Sequence, residues 1–134
     1  MTILKTETLA IQSANDVVMV RQKIRSLAAE IGLSLIDQTK IVTAASELAR
    51  NTLVHGGGGS AQADIIKRDE RLALQITFED KGPGIPEIKL ALIDGYSSSK
   101  GLGMGLSGSR RLVNQFEIAS EPGKGTRVVI ARWK

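Results

Sequence analysis

Apolar positions along the chain keep two different periods. From Thr2 to Ile11 they alternate with polar ones, which predicts a first strand. Ser13-Ala-Asn-Asp16 then forms an S-x-x-D cap. Val17, Val20, Ile24, Leu27, Ala28 and Ile31 recur at helical spacing after it until Gly32 stops the helix. Ser34 and Asp37 open a second helix in the same way. It is expected to run to about His55, with Ile41, Ala45, Leu48 and Thr52 on one face, and Gly56–Gly59 ends it.

The period then returns to two. Ala61 to Lys67 reads as a strand, Asp69-Glu70 as a turn, and Leu72, Leu74, Ile76 and Phe78 alternate with Ala73, Gln75, Thr77 and Glu79 in a half-buried strand. Lys81 to Lys100 reads as loop with a short helix from Pro86 to Leu92. A helix is expected from Leu106 to Gln115, and a hairpin closes the chain: Phe116–Ser120, a turn through Pro122-Gly-Lys-Gly125, then Thr126–Trp133. Strands and helices gather in separate runs, which predicts an α+β two-layer sandwich: a mostly antiparallel sheet with helices on one face.

Composition narrows the chemistry. A chain of 134 residues has room for one domain, and 42% hydrophobic with 24% charged residues is an ordinary globular balance. Cysteine is absent, which excludes disulfide frameworks, zinc–cysteine sites and thiol catalysis; the single histidine, His55, cannot build a multi-histidine metal site. Two Phe, one Tyr and one Trp are too few for a base-stacking platform, and the net charge of +4 is not gathered into a basic tail, so no nucleic-acid partner is expected. With no long apolar run and no signal-peptide core, no membrane association and a cytoplasmic location are expected.

The 14 glycines are clustered, and the clusters sit beside polar residues of chemical interest. Glu47, Asn51 and His55 are spaced i, i+4, i+8, so they project from one side of the second helix. Taken alone, such a series reads first as a solvated helix face; the functional reading is a carboxylate base beside an amide oxygen able to ligate Mg²⁺. Asp80-Lys-Gly82-Pro-Gly84 follows a strand. It is a simple turn, or a carboxylate that accepts from a ligand amine while bare backbone packs on a flat ring. Gly101-Leu-Gly103-Met-Gly105-Leu106 leads into a helix, where free backbone N–H groups suit anionic oxygens. No strand precedes that run, so it is not a Rossmann turn, and Gly123-Lys-Gly-Thr126 breaks the Walker A order.

The series of motifs resembles the Bergerat-type (GHKL) ATP-binding fold: E-x-x-x-N on a helix, D-x-G-x-G after a strand, G-x-G-x-G before a helix, and G-x-G-T in a closing hairpin. The resemblance covers nearly the whole chain. It implies that Asn51 holds a Mg²⁺ bridging the phosphates of ATP and that Glu47 is the base or water-positioning carboxylate. Asp80 would accept the adenine amino group beside Gly82 and Gly84, and Thr126 would make a second adenine contact through water. Gly101, Gly103, Gly105 and Leu106 would form a phosphate-side lid, with Lys100 reaching the terminal phosphate. His55 is expected to pack or cap the helix end.

Within that family, Ser46-Glu-Leu-Ala-Arg-Asn51, Asp80-Lys-Gly-Pro-Gly-Ile-Pro86, Asp94-Gly-Tyr-Ser97, Gly101-Leu-Gly-Met-Gly-Leu106 and Ala131-Arg-Trp-Lys134 are similar to the RsbT-type switch kinases of bacterial stress signalling. Nine residues follow Gly125, so a single kinase domain over 1–134 is expected rather than a fold followed by a transducing domain. The resemblance implies a serine/threonine-protein kinase that phosphorylates a STAS-domain antagonist and, once released, binds and activates a PPM-type serine phosphatase. The alternatives are an RsbW-like anti-sigma factor kinase, which binds a sigma factor directly, and a module that holds ATP only to dock partners.

Overall fold

A computed structural model describes residues 1–83 and 102–134. Among these residues, five strands and three helices follow in the order β1 (Thr2–Ile11), α1 (Ala14–Glu30), α2 (Leu35–Val54), β2 (Gly59–Arg68), β3 (Arg71–Asp80), α3 (Leu102–Arg111), β4 (Gln115–Glu121) and β5 (Gly125–Trp133). All neighbouring strand pairs are antiparallel, and the sheet order is β1-β2-β3-β5-β4.

Both long helices start where the capping pattern places them. The Ser13 side chain accepts from the Asp16 N–H and the Ser34 side chain from the Asp37 N–H. Gly32, with φ +84°, turns the chain out of α1. Val20, Ile24, Leu27 and Ala28 of α1 and Ile41, Ala45 and Leu48 of α2 meet Ala61, Ala63, Ile65, Leu74, Ile76, Phe78, Val128 and Ile130 in one core. Cross-strand pairing puts all these strand residues on the same face, so the sheet carries its helical layer on that side. On the opposite face Ile66, Ala73, Val129 and Ala131 are also buried, with Ile66, Ala73 and Trp133 in a single cross-strand row.

The expected helix over Leu106–Gln115 is shifted. α3 begins at Leu102, so Gly103 and Gly105 lie inside its first turn, and it ends at Arg111. Each helical glycine costs about 1 kcal/mol relative to alanine, but the packing of Leu106 and Ser109, both about 1% exposed, holds the helix in place. Its far end is set by tertiary bonds. Arg132 donates to the Leu112 carbonyl at 3.0 Å and to Asp37 Oδ1 at 2.7 Å, joining the end of α3 to the start of α2. The Asn114 N–H donates to the Ala131 carbonyl, and Gln115 pairs with Ala131 as the first residue of β4. The expected short helix Pro86–Leu92 lies outside the described residues.

Candidate nucleotide site

The α2 helix, the end of β3 and the β4–β5 hairpin converge at one end of the sheet. Antiparallel register sets Gly59 opposite Asp80, Asp80 opposite Thr126, and Thr126 opposite Ser120. Residues directly opposite share a face, so this row runs across the helix-bearing side of the sheet beneath the end of α2.

Asp80 is held by backbone. Its Oδ1 accepts from the Gly82 N–H at 2.9 Å. Four glycines close around it, and each is required by a near contact. A Cβ on Gly56 would stand within the Asp80 carboxyl group, one on Gly59 against the Glu79 carbonyl, and one on Gly125 against the Asp80 carbonyl. A Cβ on Gly82 would lie 2.7 Å from both the Cα and the carbonyl oxygen of Gly56. Gly125 also has φ +88°, a conformation that L side chains rarely adopt. The Gly123 N–H donates to the Pro83 carbonyl at 2.7 Å, which ties the hairpin turn to the chain leaving β3.

Glu47 and Asn51 lie on α2, one turn apart and both partly buried. The backbone carbonyl of Asn51 accepts from the N–H groups of His55 and Gly56, which bends the chain at the helix end toward Asp80. The Nδ2 of Asn51 is buried and has no hydrogen-bond partner. An unpaired buried donor costs about 1–3 kcal/mol, and among the described residues no hydrogen bond to the Asn51 carboxamide is seen, which leaves its oxygen a candidate ligand for a hard cation. Beside the Glu47 carboxylate, that is a donor set suited to Mg²⁺ completed by phosphate oxygens. These residues therefore fit the metal.

The sequence-predicted residues divide as follows. Asp80, Gly82 and Thr126 come together, and Glu47 and Asn51 stand on the helix whose end packs on them. Gly103 and Gly105 lie in the first turn of α3. Leu106 is in the hydrophobic core, so any part it takes on the phosphate side passes through its backbone. Gly84, Lys100 and Gly101 lie outside the described residues. The sequence marks Gly56–Gly59 as a helix stop and as a glycine cluster where backbone turns tightly or approaches something closely, without assigning Gly56 or Gly59 to the site, and it does not single out Ser120. The run of four glycines was the available signal, since a helix needs only one to end.

Residues 36–134 match the family described as histidine kinase-, DNA gyrase B-, and HSP90-like ATPase. The chain belongs to this family. Among curated proteins it is similar to the serine/threonine-protein kinase RsbT of Bacillus subtilis, at 42% identity over 118 residues, covering 88% of this chain and 89% of that protein. It is also similar to the anti-sigma F factor of Clostridium acetobutylicum, at 28% identity over 84% of this chain and 81% of that protein. A solved structure of RsbU and RsbW domains from Mycobacterium tuberculosis superposes with a TM-score of 0.67 at 21% identity, over 97% of this chain and 33% of that one. A histidine kinase domain from Erythrobacter litoralis gives 0.57 at 20% identity, over 88% and 59%. These two likenesses carry the fold. Family membership and the identity to RsbT make the chain an RsbT-type serine/threonine-protein kinase of the ATPase family, and ATP use follows from both. Among the described residues, no helix is long and apolar enough to cross a membrane.

Proposed function

We propose that this kinase phosphorylates a serine or threonine on a STAS-domain antagonist protein and, when released from it, binds and activates a PPM-type serine phosphatase. The observation that carries the reading is the 42% identity to RsbT across 88% of the chain, together with a site that keeps both Glu47 and Asn51 on one helix. A module that only held ATP would have no need of the carboxylate.

In this reading Asp80 accepts from the adenine amine, with Gly82 and Gly84 beside the ring and Thr126 making a second contact. Asn51 holds Mg²⁺, which would neutralise charge on the phosphates. Gly101, Gly103 and Gly105 present backbone N–H groups on the phosphate side, and Lys100 serves the terminal phosphate as a point charge. Glu47 takes the proton from the substrate hydroxyl as its oxygen bonds to the γ-phosphorus and the bond to the ADP oxygen breaks. A phosphorylated antagonist brings added charge of about −1.5 to −2, bulk and desolvation cost to the contact, so it leaves, and the phosphatase takes overlapping surface.

The test is a competition titration with a purified STAS antagonist, in both phosphorylation states, and a PPM phosphatase, alongside phosphate transfer from labelled ATP. Label on an antagonist serine or threonine, weaker binding of the phosphorylated form and mutually exclusive complexes are expected. A stable ternary complex or equal affinity for the two antagonist forms refutes the switch. The likeness to anti-sigma F factors supports a second reading, and tight sigma-factor binding in this assay would select it.

A further inference from the structure

We infer that Gly123, in the turn between β4 and β5, is a positioning residue for the nucleotide base. It acts on the Asp80 carboxylate through the Pro83 carbonyl and the Gly82 N–H. The inference rests on the reading of Asp80 as the base-binding carboxylate. Strand pairing ends at Asp80, which stands between Gly59 and Thr126. The chain just beyond the ladder orients its carboxyl group, because Asp80 Oδ1 accepts from the Gly82 N–H at 2.9 Å. Gly82 lies against Gly56 on the helix side. On the hairpin side the Gly123 N–H donates to the Pro83 carbonyl at 2.7 Å. The Pro83 ring fixes its own φ, so a hold on its carbonyl is passed back to Gly82 with one soft torsion fewer.

The turn sets the direction of the Gly123 N–H. The Lys124 N–H donates to the Glu121 carbonyl at 3.0 Å, which closes a four-residue turn with Pro122 and Gly123 at its centre. Gly123 has φ +79°. Proline in the second position and glycine at such a φ in the third make this a type II turn. In the type I alternative the third residue has φ near −90° and the central peptide is rotated by roughly half a turn. That peptide carries the Gly123 N–H. Either turn closes the hairpin, but only the type II form aims the N–H at Pro83. Glycine is needed here for its φ and not for space: Gly123 is exposed, and a Cβ added to it meets no atom within 4 Å. Gly56, Gly59, Gly82 and Gly125 differ, since close contacts exclude a side chain from each.

A carboxylate oriented before the ligand arrives does not have to be ordered by the binding energy. Without the bond from Gly123, Pro83 and Gly82 can move off, the Gly82 N–H leaves Asp80 Oδ1, and the nucleotide must restore the arrangement. The loss falls on affinity, while β4 and β5 stay paired.

The experiment titrates the full chain with ATP and Mg²⁺ by calorimetry, at a temperature where melts show every form folded. Gly123→Val, whose branched side chain does not suit a positive φ, is expected to bind ATP roughly fivefold more weakly, the scale of one hydrogen bond. D-alanine at position 123, installed by ligating a synthetic C-terminal segment, suits a positive φ and should match wild type. An ester in place of the Pro122–Gly123 amide keeps glycine and removes only the donor, and it should reproduce the loss seen with valine. A role confined to chain stability would move the melts and leave all these affinities alike. Wild-type affinity in the ester form or in Gly123→Val overturns the inference, and so does a loss with D-alanine equal to that with valine. Asp80→Asn in the same titration separates it from the reading beneath. If ATP affinity is lost there while the ester form binds as wild type, this inference alone falls. If ATP affinity survives Asp80→Asn, the base site is misplaced and the inference falls with it.

Discussion

Gly56 and Asp80 are in contact across the junction of helix and sheet, and a single methyl group at position 56 would occupy the space of the Asp80 carboxyl. The end of α2, which carries Glu47 and Asn51, is thus packed directly on the residue that ends β3. This contact couples the helix to the strand residue, so a change in one moves the other.

Gly56→Ala is therefore expected to displace the carboxyl group. Overpacking of this kind costs about 1–3 kcal/mol in stability, and the displaced Asp80 should weaken ATP binding at least roughly tenfold, about 1.4 kcal/mol. Calorimetric titration beside a thermal melt measures both; wild-type affinity in the variant would show that the carboxyl position is not critical.

Asp80→Asn leaves volume and shape nearly unchanged. In the proposed role of Asp80, the amide would weaken the bond to the adenine amine, where a charge-assisted bond is worth about 1.5–3 kcal/mol. ATP affinity should fall while the fold persists. Unchanged affinity in a folded variant would remove Asp80 from the site.

Glu47→Ala and Asn51→Ala should separate two roles one helical turn apart. Glu47→Ala is expected to keep nucleotide and lose phosphotransfer by roughly 10²–10⁴, the usual contribution of a positioned base. Asn51→Ala should instead weaken Mg²⁺-dependent nucleotide binding. Titrations with and without Mg²⁺, set beside single-turnover transfer, tell them apart, and the same defect in both variants contradicts separate roles.

Acid stability should depend on Asp37. Its hydrogen bond from Arg132 holds the carboxyl below the usual aspartate range, outweighing the opposing effect of burial, while the Arg132 charge lowers it further. A lowered folded value means that the carboxylate stabilises the fold above its unfolded value of about 3.9, and that this is lost as pH falls through the folded value. Asp37→Asn should be less stable than wild type at neutral pH, and the gap should close below about pH 4. Denaturant melts across pH 2–7 check this, and a gap independent of pH would deny the bond its role.

The turn between β2 and β3 carries avoidable strain. Asp69 and Glu70 have φ of +51° and +67° without being glycine, and the two-residue loop joins Arg68 to Arg71. The left-handed conformation costs an ordinary residue roughly 1–2 kcal/mol. Glu70→Gly should stabilise the hairpin by a part of that, since the Lys67–Glu70 pair it removes is exposed and worth about 0–1 kcal/mol. A lower denaturation midpoint would mean that the pair outweighs the strain.

Period and caps were legible in the sequence because they are local. Ser13 and Ser34 cap their helices through bonds three residues long, and the alternation from Leu74 to Phe78 follows from the pleat of the strand. The spacing of Glu47 and Asn51 put them on one helical side before any fold was known. The order of the motifs was enough to indicate the family. What lay outside local rules went unseen or misplaced. α3 starts four residues before the expected position because the burial of Leu106 and Ser109 outweighs the poor helix propensity of its glycines. It ends at Arg111 because Arg132 and Ala131, about twenty residues on, claim the carbonyl and N–H groups that follow. Gly56 reads in sequence as a helix stop, and only its contact with Asp80, 24 residues away, shows why a side chain is excluded there. Ser120 had no signal at all. Its place beside Thr126 depends on the register of β4 against β5, and register is settled by which faces the whole sheet can bury.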